Sequence, residues 1–186
     1  MPALPDLDQP LHDGRVALRF GSERDIPEIL IAHQDDPELH ARLREPRPPS
    51  GAELGRRAER APAERAAGAR ATLTILESGS DVCRGQIDVC ELDWDHQRAE
   101  LQIWVVPQSR RTGLGHRALG LAGRWLLDEC GLERVQIVTE ADNEAMVRAA
   151  RAAGFLYEGI LRAYQRDQRG RVDVAVLSLL SADLQS

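Results

Sequence analysis

The spacing of hydrophobic and polar positions changes period several times along the chain, and each change marks an element. Apolar residues alternate through Arg15-Val16-Ala17-Leu18-Arg19-Phe20, the period of a short strand. Residues 22–44 read as one helical stretch, with Asp25 as N-cap ahead of Pro27 in the first turn. Pro46, Pro48 and Pro49 then open a loop. The Ala/Glu/Arg-rich stretch up to Arg70, interrupted by Pro62, predicts a short, mobile, solvated helix. From Ala71 the pattern turns to strands over 71–77, 85–92 and 99–106, separated by Gly79-Ser80-Asp81 and by residues 93–97. Gaps this short predict an antiparallel meander.

A long helix is expected over 113–130, where Leu114, Ala118, Leu121, Ala122 and Trp125 repeat at three and four and Gly131 is a natural stop. A strand over 134–139, a helix over 143–153 ended by Gly154, and strands over 155–164 and 172–180 about a turn at 167–170 complete the pattern. Residues 1–14, acidic and proline-rich, read as a flexible arm, leaving 15–186 as a single mixed α/β domain without internal repeats.

Composition narrows the function classes. With 42% hydrophobic and 29% charged residues the chain reads as an ordinary soluble globule, and no apolar run approaches the roughly 18 residues of a spanning helix. A net charge of −6 argues against binding nucleic acid through an overall field. The first residues have neither a cationic start nor an apolar core, which is the pattern of neither a secretory leader nor a membrane anchor. Cys83, Cys90 and Cys130 are odd in number and fit no metal-ligand spacing, so they read as reduced thiols of a cytoplasmic protein with no metal site. All 24 basic residues are arginine. Phosphate binding therefore has to come from Arg, backbone N–H groups or hydroxyls, and no lysine is available as a Schiff base or general base.

The segment richest in chemistry is Trp104-Val105-Val106-Pro107-Gln108-Ser109-Arg110-Arg111-Thr112-Gly113-Leu114-Gly115, an apolar strand that runs through a glycine-bearing loop into a long helix. The first N–H groups of a helix lack internal partners and sit at the positive end of its dipole, so residues 110–115 can hold a pyrophosphate. Gly113 and Gly115 remove the Cβ atoms that would hinder its approach. Two other phosphate folds do not fit. A dinucleotide fold places its glycines early in a βαβ series, and a Walker loop needs a lysine.

Further on, the strand at 134–139 leads through Asp142-Asn143 into an Ala-rich helix, then to Gly154-Phe155, Glu158-Gly159 and Leu161-Arg162, with Asp173 before the last strand. Together with Leu18-Arg19, Asp25 and Arg110-x-x-Gly113-x-Gly115, these pieces resemble the GNAT superfamily of acyl-CoA-dependent N-acetyltransferases, within it the RimJ/RimL-like branch, over about residues 15–183. The resemblance implies a central twisted, mostly antiparallel sheet of about seven strands, splayed in the middle and flanked by about four helices.

It further implies acetyl-CoA or another acyl-CoA as co-substrate. Pantetheine would lie in the splay against the backbone of Val105 and Val106, and the pyrophosphate on Arg110, Arg111, Thr112, Gly113, Leu114 and Gly115. Asn143 would contact the pantetheine arm, while remaining a plain N-cap candidate on its own sequence. The implied acceptor is a primary amine, either a small molecule or a protein N-terminus, with a homodimer compatible.

Deprotonating that amine needs a base. Glu100, on the strand leading to the splay, is the first candidate; His96, with a better matched ordinary pKa, is the second. The chain departs from the family at the general acid. Met146 and Ala150 stand where relatives often carry Ser or Tyr, and neither can donate a proton. That gap keeps a second reading open, a catalytically weakened acyl-CoA-binding domain acting as a sensor or scaffold.

Overall fold

The computed structural model describes residues 4–167 and 170–185. One eight-stranded sheet organises the molecule, starting at one edge with the short strand β1 (Leu11–His12). The expected meander is present. β2 (Val16–Phe20), β3 (Ala71–Glu77), β4 (Gly85–Asp93) and β5 (Arg98–Val105) pair antiparallel in sequence. β6 (Arg134–Glu140) joins β5 in parallel and is followed across the sheet by β8 (Gly170–Leu180) and the edge strand β7 (Leu156–Asp167), both antiparallel. The turn expected at 167–170 has Gln168 and Arg169 outside the described residues.

Both sheet faces are covered, so β3 is buried along nearly its whole length. Leu73, Ile75, Ile87, Val89, Ala99 and Leu101 pack into the larger core, with α4 (Leu114–Arg124) and α5 (Glu144–Ala152) over them. A smaller core joins Trp104 and Cys83 to Ile29 and Ala32 of α1 (Ile26–Asp35), Leu39 of α2 (Leu39–Arg42) and Leu54 of α3 (Gly51–Ala66) on the other face. α4 continues as a wider π-helical turn, Trp125–Glu129, which keeps Trp125, Leu126 and Leu127 buried.

Four expectations are corrected. The segment read as a loose arm is tied down over its described part: Leu4 is 4% exposed in the core, and Leu11–His12 forms β1 against β2, which makes the eighth strand. The single helix over 22–44 is broken, because Pro37 has no N–H and forces Asp36 out of helical backbone (φ −135°, ψ 84°). The short helix after the prolines is instead sixteen residues long. Ser50 starts it by accepting from Glu53 N–H while Glu53 accepts from Ser50 N–H, a reciprocal cap that holds the first turn, and the helix runs on through Pro62. Finally, Asp25 precedes α1 but does not cap it; its carboxylate turns toward Arg19.

Candidate active site

Pairing between β5 and β6 lasts only three residues, from Arg98 with Arg134 to Glu100 with Gln136. Beyond that register β5 continues to Val105 and β6 to Glu140 without pairing, so the sheet opens there into a gap. Glu100 sits at the apex and the loop after β5 at the mouth.

The loop is built to leave donors unspent. Ser109 N–H donates to Val106 C=O at 3.0 Å and Thr112 Oγ1 donates to Ser109 C=O at 2.8 Å, folding the chain back on itself. Arg111 (φ 63°) and Gly113 (φ 93°) both take left-handed backbone, which a non-glycine residue adopts at a cost of about 1 kcal/mol or more. The first helical hydrogen bond runs from Arg117 N–H to Gly113 C=O, and among the described residues the N–H groups of residues 111–116 meet no acceptor. Consecutive free N–H groups at the start of an eleven-residue helix with no acid in its first turn make a concave anion seat. Gly113 is required by its φ. A Cβ on Gly115 would only touch Val105 Cγ2 at 3.7 Å, so Gly115 is not needed for space there.

Several sequence candidates have other engagements. Arg110 donates from Nε to Val105 C=O at 3.0 Å and through Nη2 to Asp36, which Arg42 also meets. It therefore braces the end of β5 against the end of α1, rather than standing free at the mouth. Arg117 is paired with Asp13 at 2.7 Å. Val106 N–H donates to Arg84 C=O at 2.9 Å, so Val106 offers the gap no donor. Adjacent residues of a strand point their N–H groups in opposite directions, which turns Val105 N–H away from β4 and toward the gap. Asn143 is the N-cap of α5: its Oδ1 accepts from Met146 N–H at 3.1 Å and its Nδ2 donates to Thr139 Oγ1 at 3.1 Å.

Of the two base candidates, only Glu100 lies at the gap. It is 7% exposed, and its carboxylate accepts a long hydrogen bond from Gln136 Nε2 at 3.4 Å, with the Gln102 side chain also beside it. Burial pushes its pKa upward from the ordinary carboxylate value, and Gln136, the more distant Arg44 and Gln102 only partly oppose that. His96 lies in the turn before β5, three-quarters exposed, with Nδ1 on the Asp93 carboxylate at 3.0 Å. Eight residues of strand, roughly 23 Å, separate that turn from the mouth. No proton donor replaces the missing acid on α5: Ala150 is fully buried and Met146 packs against the core. Tyr157 and Tyr164, on β7, are exposed rather than core.

Sequence reasoning did not find the polar groups on the α1–α3 side of β4 and β5. His33, Glu45, Arg57, Arg70, Asp88 and Gln102 line one small cavity there. They come from six separate segments, and only the tertiary fold brings them together. Among the described residues no group of His, Cys, Asp and Glu could hold a metal ion, and no helix is long and apolar enough to cross a membrane.

A sheet parted between two parallel neighbours, with a strand-loop-helix turn at the mouth of the gap, is the architecture that the comparisons with known proteins also identify. The model of the acetyltransferase (GNAT) domain matches residues 15–156, and the chain belongs to that family. It is 30% identical over 96 residues to the uncharacterized N-acetyltransferase YoaA of Bacillus subtilis, a match spanning 52% of this chain and 54% of that protein, about half the length of the relative. Among solved structures, Mycobacterium smegmatis RimJ in complex with CoA-disulfide superposes with a TM-score of 0.81 at 17% identity, covering 96% of this chain and 88% of that one. Spermidine N-acetyltransferase from Vibrio cholerae, in complex with CoA and spermine, gives 0.78 at 18% identity, covering 94% and 100%.

Proposed function

We propose that the protein transfers an acetyl group from acetyl-CoA to a primary amine, by direct attack in a ternary complex in the cytoplasm, as a RimJ/RimL-like N-acetyltransferase. The observation that carries this reading is the buried Glu100 carboxyl, matched only by side-chain amides, at the apex of the same gap whose mouth holds the unspent N–H groups of residues 111–116. The CoA pyrophosphate rests on those N–H groups, with the exposed Arg111 beside them. The amine enters from the α1–α3 side.

Glu100, directly or through one water, removes a proton from the ammonium, and the freed nitrogen attacks the thioester carbon. Val105 N–H donates to the oxyanion that forms. The C–S bond then breaks, CoA leaves as thiolate, and the proton shed by the nitrogen passes back to sulfur. A thiolate is a weak base, so this departure needs less help from an acid than an alkoxide would. Positioning of the two reactants supplies much of the remaining rate.

Met146 and Ala150 favour a second reading, an acyl-CoA-binding domain that does not turn over. Thiol release from acetyl-CoA against a panel of amines, including short peptides with free N-termini, separates the two. Release with at least one amine is expected. Calorimetric CoA binding with no release on any amine would overturn the enzyme reading.

A further inference from the structure

On the face of the sheet that carries Glu100, α1 and α3 close over β4 and β5 and leave a narrow cavity of about 60 Å³. Gln102 and Trp104 form its floor, with His33, Glu45, Arg57 and Asp88 around it. Most of its polar groups are already matched. Arg57 donates to Glu45 Oε1 at 2.6 Å, Arg70 pairs with Asp88 at 3.0 Å, and Thr72 Oγ1 donates to the other Asp88 oxygen at 2.6 Å.

Two atoms are left over. Glu45 Oε2 and His33 Nδ1 are both buried with no hydrogen-bond partner, and His33 is 7% exposed. Native folds rarely leave buried polar atoms unmatched, and two such atoms on one cavity mark a place where a ligand completes the network. Their chemistry defines that ligand. Burial holds His33 neutral, so Nδ1 can accept, and a carboxylate oxygen only accepts. The void therefore calls for a group with two or more N–H donors, and the Glu45 carboxylate favours a positive one. The Trp104 indole offers an apolar wall for methylene groups.

We propose that this cavity takes a second, non-reacting ammonium group of the acceptor, with Glu45 and His33 as its recognition residues, so that the acceptor is a small diamine-type molecule. Gln102, on the cavity floor, stands two residues beyond Glu100 on the same strand face, roughly 7 Å away, so the cavity begins about one short diamine from the proposed base. Extended 1,4-diaminobutane covers that span. The inference rests on the acyltransferase reading only for the chemistry at the reacting end.

The test is calorimetric binding of 1,4-diaminobutane and of n-butylamine to the intact protein, with and without CoA. The diamine is expected to bind at least about tenfold more tightly, the factor for one charge-assisted hydrogen bond. Glu45→Gln and His33→Gln are each expected to pull that ratio toward one. Equal affinities in the unaltered protein, no binding of the diamine, or a ratio that neither folded variant moves would overturn the assignment; if neither variant folds, the unaltered protein's ratio decides. Thiol-release assays keep the two proposals apart. Selective diamine binding with no turnover on any amine sinks the enzyme and leaves the cavity, whereas equally fast turnover of both amines sinks the cavity and leaves the enzyme.

Discussion

Two carboxylic acids are buried beneath the α1–α3 layer, and the fold treats them in opposite ways. Asp25, 1% exposed, receives Arg19 through both oxygens at 2.6 and 2.9 Å, Thr74 Oγ1 at 2.7 Å and Ser22 N–H at 3.0 Å. Burial alone would raise its pKa, but Arg19, Thr74 and Ser22 together hold it below the ordinary value. Glu100 is nearly as buried and has no ion-pair partner, only the side-chain amides of Gln136 and Gln102 and the more distant charge of Arg44, so burial wins and its pKa rises. A carboxylate that is fully matched is a tie between elements, here β2, β3 and the start of α1. One left with a poor match is a stronger base than a free carboxylate, which suits it to remove a proton.

The sharpest way to break this contrast is to remove each acid. Asp25→Ala leaves Arg19 buried and without its main partner, and about 3–5 kcal/mol of stability should vanish in a denaturant titration, with acyl transfer per folded molecule altered only slightly. A loss under about 1 kcal/mol would mean that the pair is not the tie described. Glu100→Gln should do the reverse, lowering kcat/KM about 100-fold or more in a thiol-release assay while stability at pH 8 is unchanged or higher.

Acidity offers a second discrimination, because the two shifts have opposite signs. Asp25 has a folded pKa below its unfolded 3.8, so its contribution is complete above that value and fades as pH falls through the folded pKa. Glu100 has a folded pKa above its unfolded 4.5, so the native state binds the extra proton, and stability is lost as pH rises from 4.5 through the folded value. Comparing melting curves of the unaltered protein and Glu100→Gln from pH 4 to 8 should show the variant gaining relative stability with pH. Asp25→Asn should show its deficit shrinking only at acid pH. In the same window kcat/KM of the unaltered protein should climb as Glu100 loses its proton, and a flat profile would remove Glu100 as base.

Much of this arrangement was legible in the residues themselves. Local patterning placed the strands because alternation and turn residues are short-range signals, and the strand-loop-helix order around Gly113 marked the anion seat. Glu100 could be placed on β5 because its strand was legible. What escaped depends on tertiary pairing. Nothing near Val106 indicates that its N–H is taken by Arg84, nor does Arg110 announce that Asp36, 74 residues away, will hold it. Asp25 looked like a cap because capping is local, whereas its partners Arg19 and Thr74 lie on two strands. The Leu4 anchor was missed because a polar, proline-rich stretch hides the spaced leucines, Leu4, Leu7 and Leu11, that the core accepts.

At the loop the expected effects are smaller. Gly113→Ala forces a Cβ into left-handed backbone and within 3.1 Å of His116 Cε1. About 1–2 kcal/mol is the cost of that backbone, and CoA affinity measured by calorimetry should weaken about tenfold as the N–H groups lose their common direction. An unchanged affinity would move the pyrophosphate off this seat.

His96 should matter least, although its ordinary pKa suits a base better than that of any carboxylate. Geometry decides against it: the ring is exposed, bound to Asp93, and set in the closed turn where β4 and β5 are still joined, at the far end of β5 from the anion seat. His96→Ala should therefore leave kcat/KM within about twofold and stability within about 0.5 kcal/mol, the range of an ordinary surface change. A loss of tenfold or more in kcat/KM, with CoA affinity intact, would put proton removal at the closed end of the strand and return Glu100 to the role of a buried acid without chemistry.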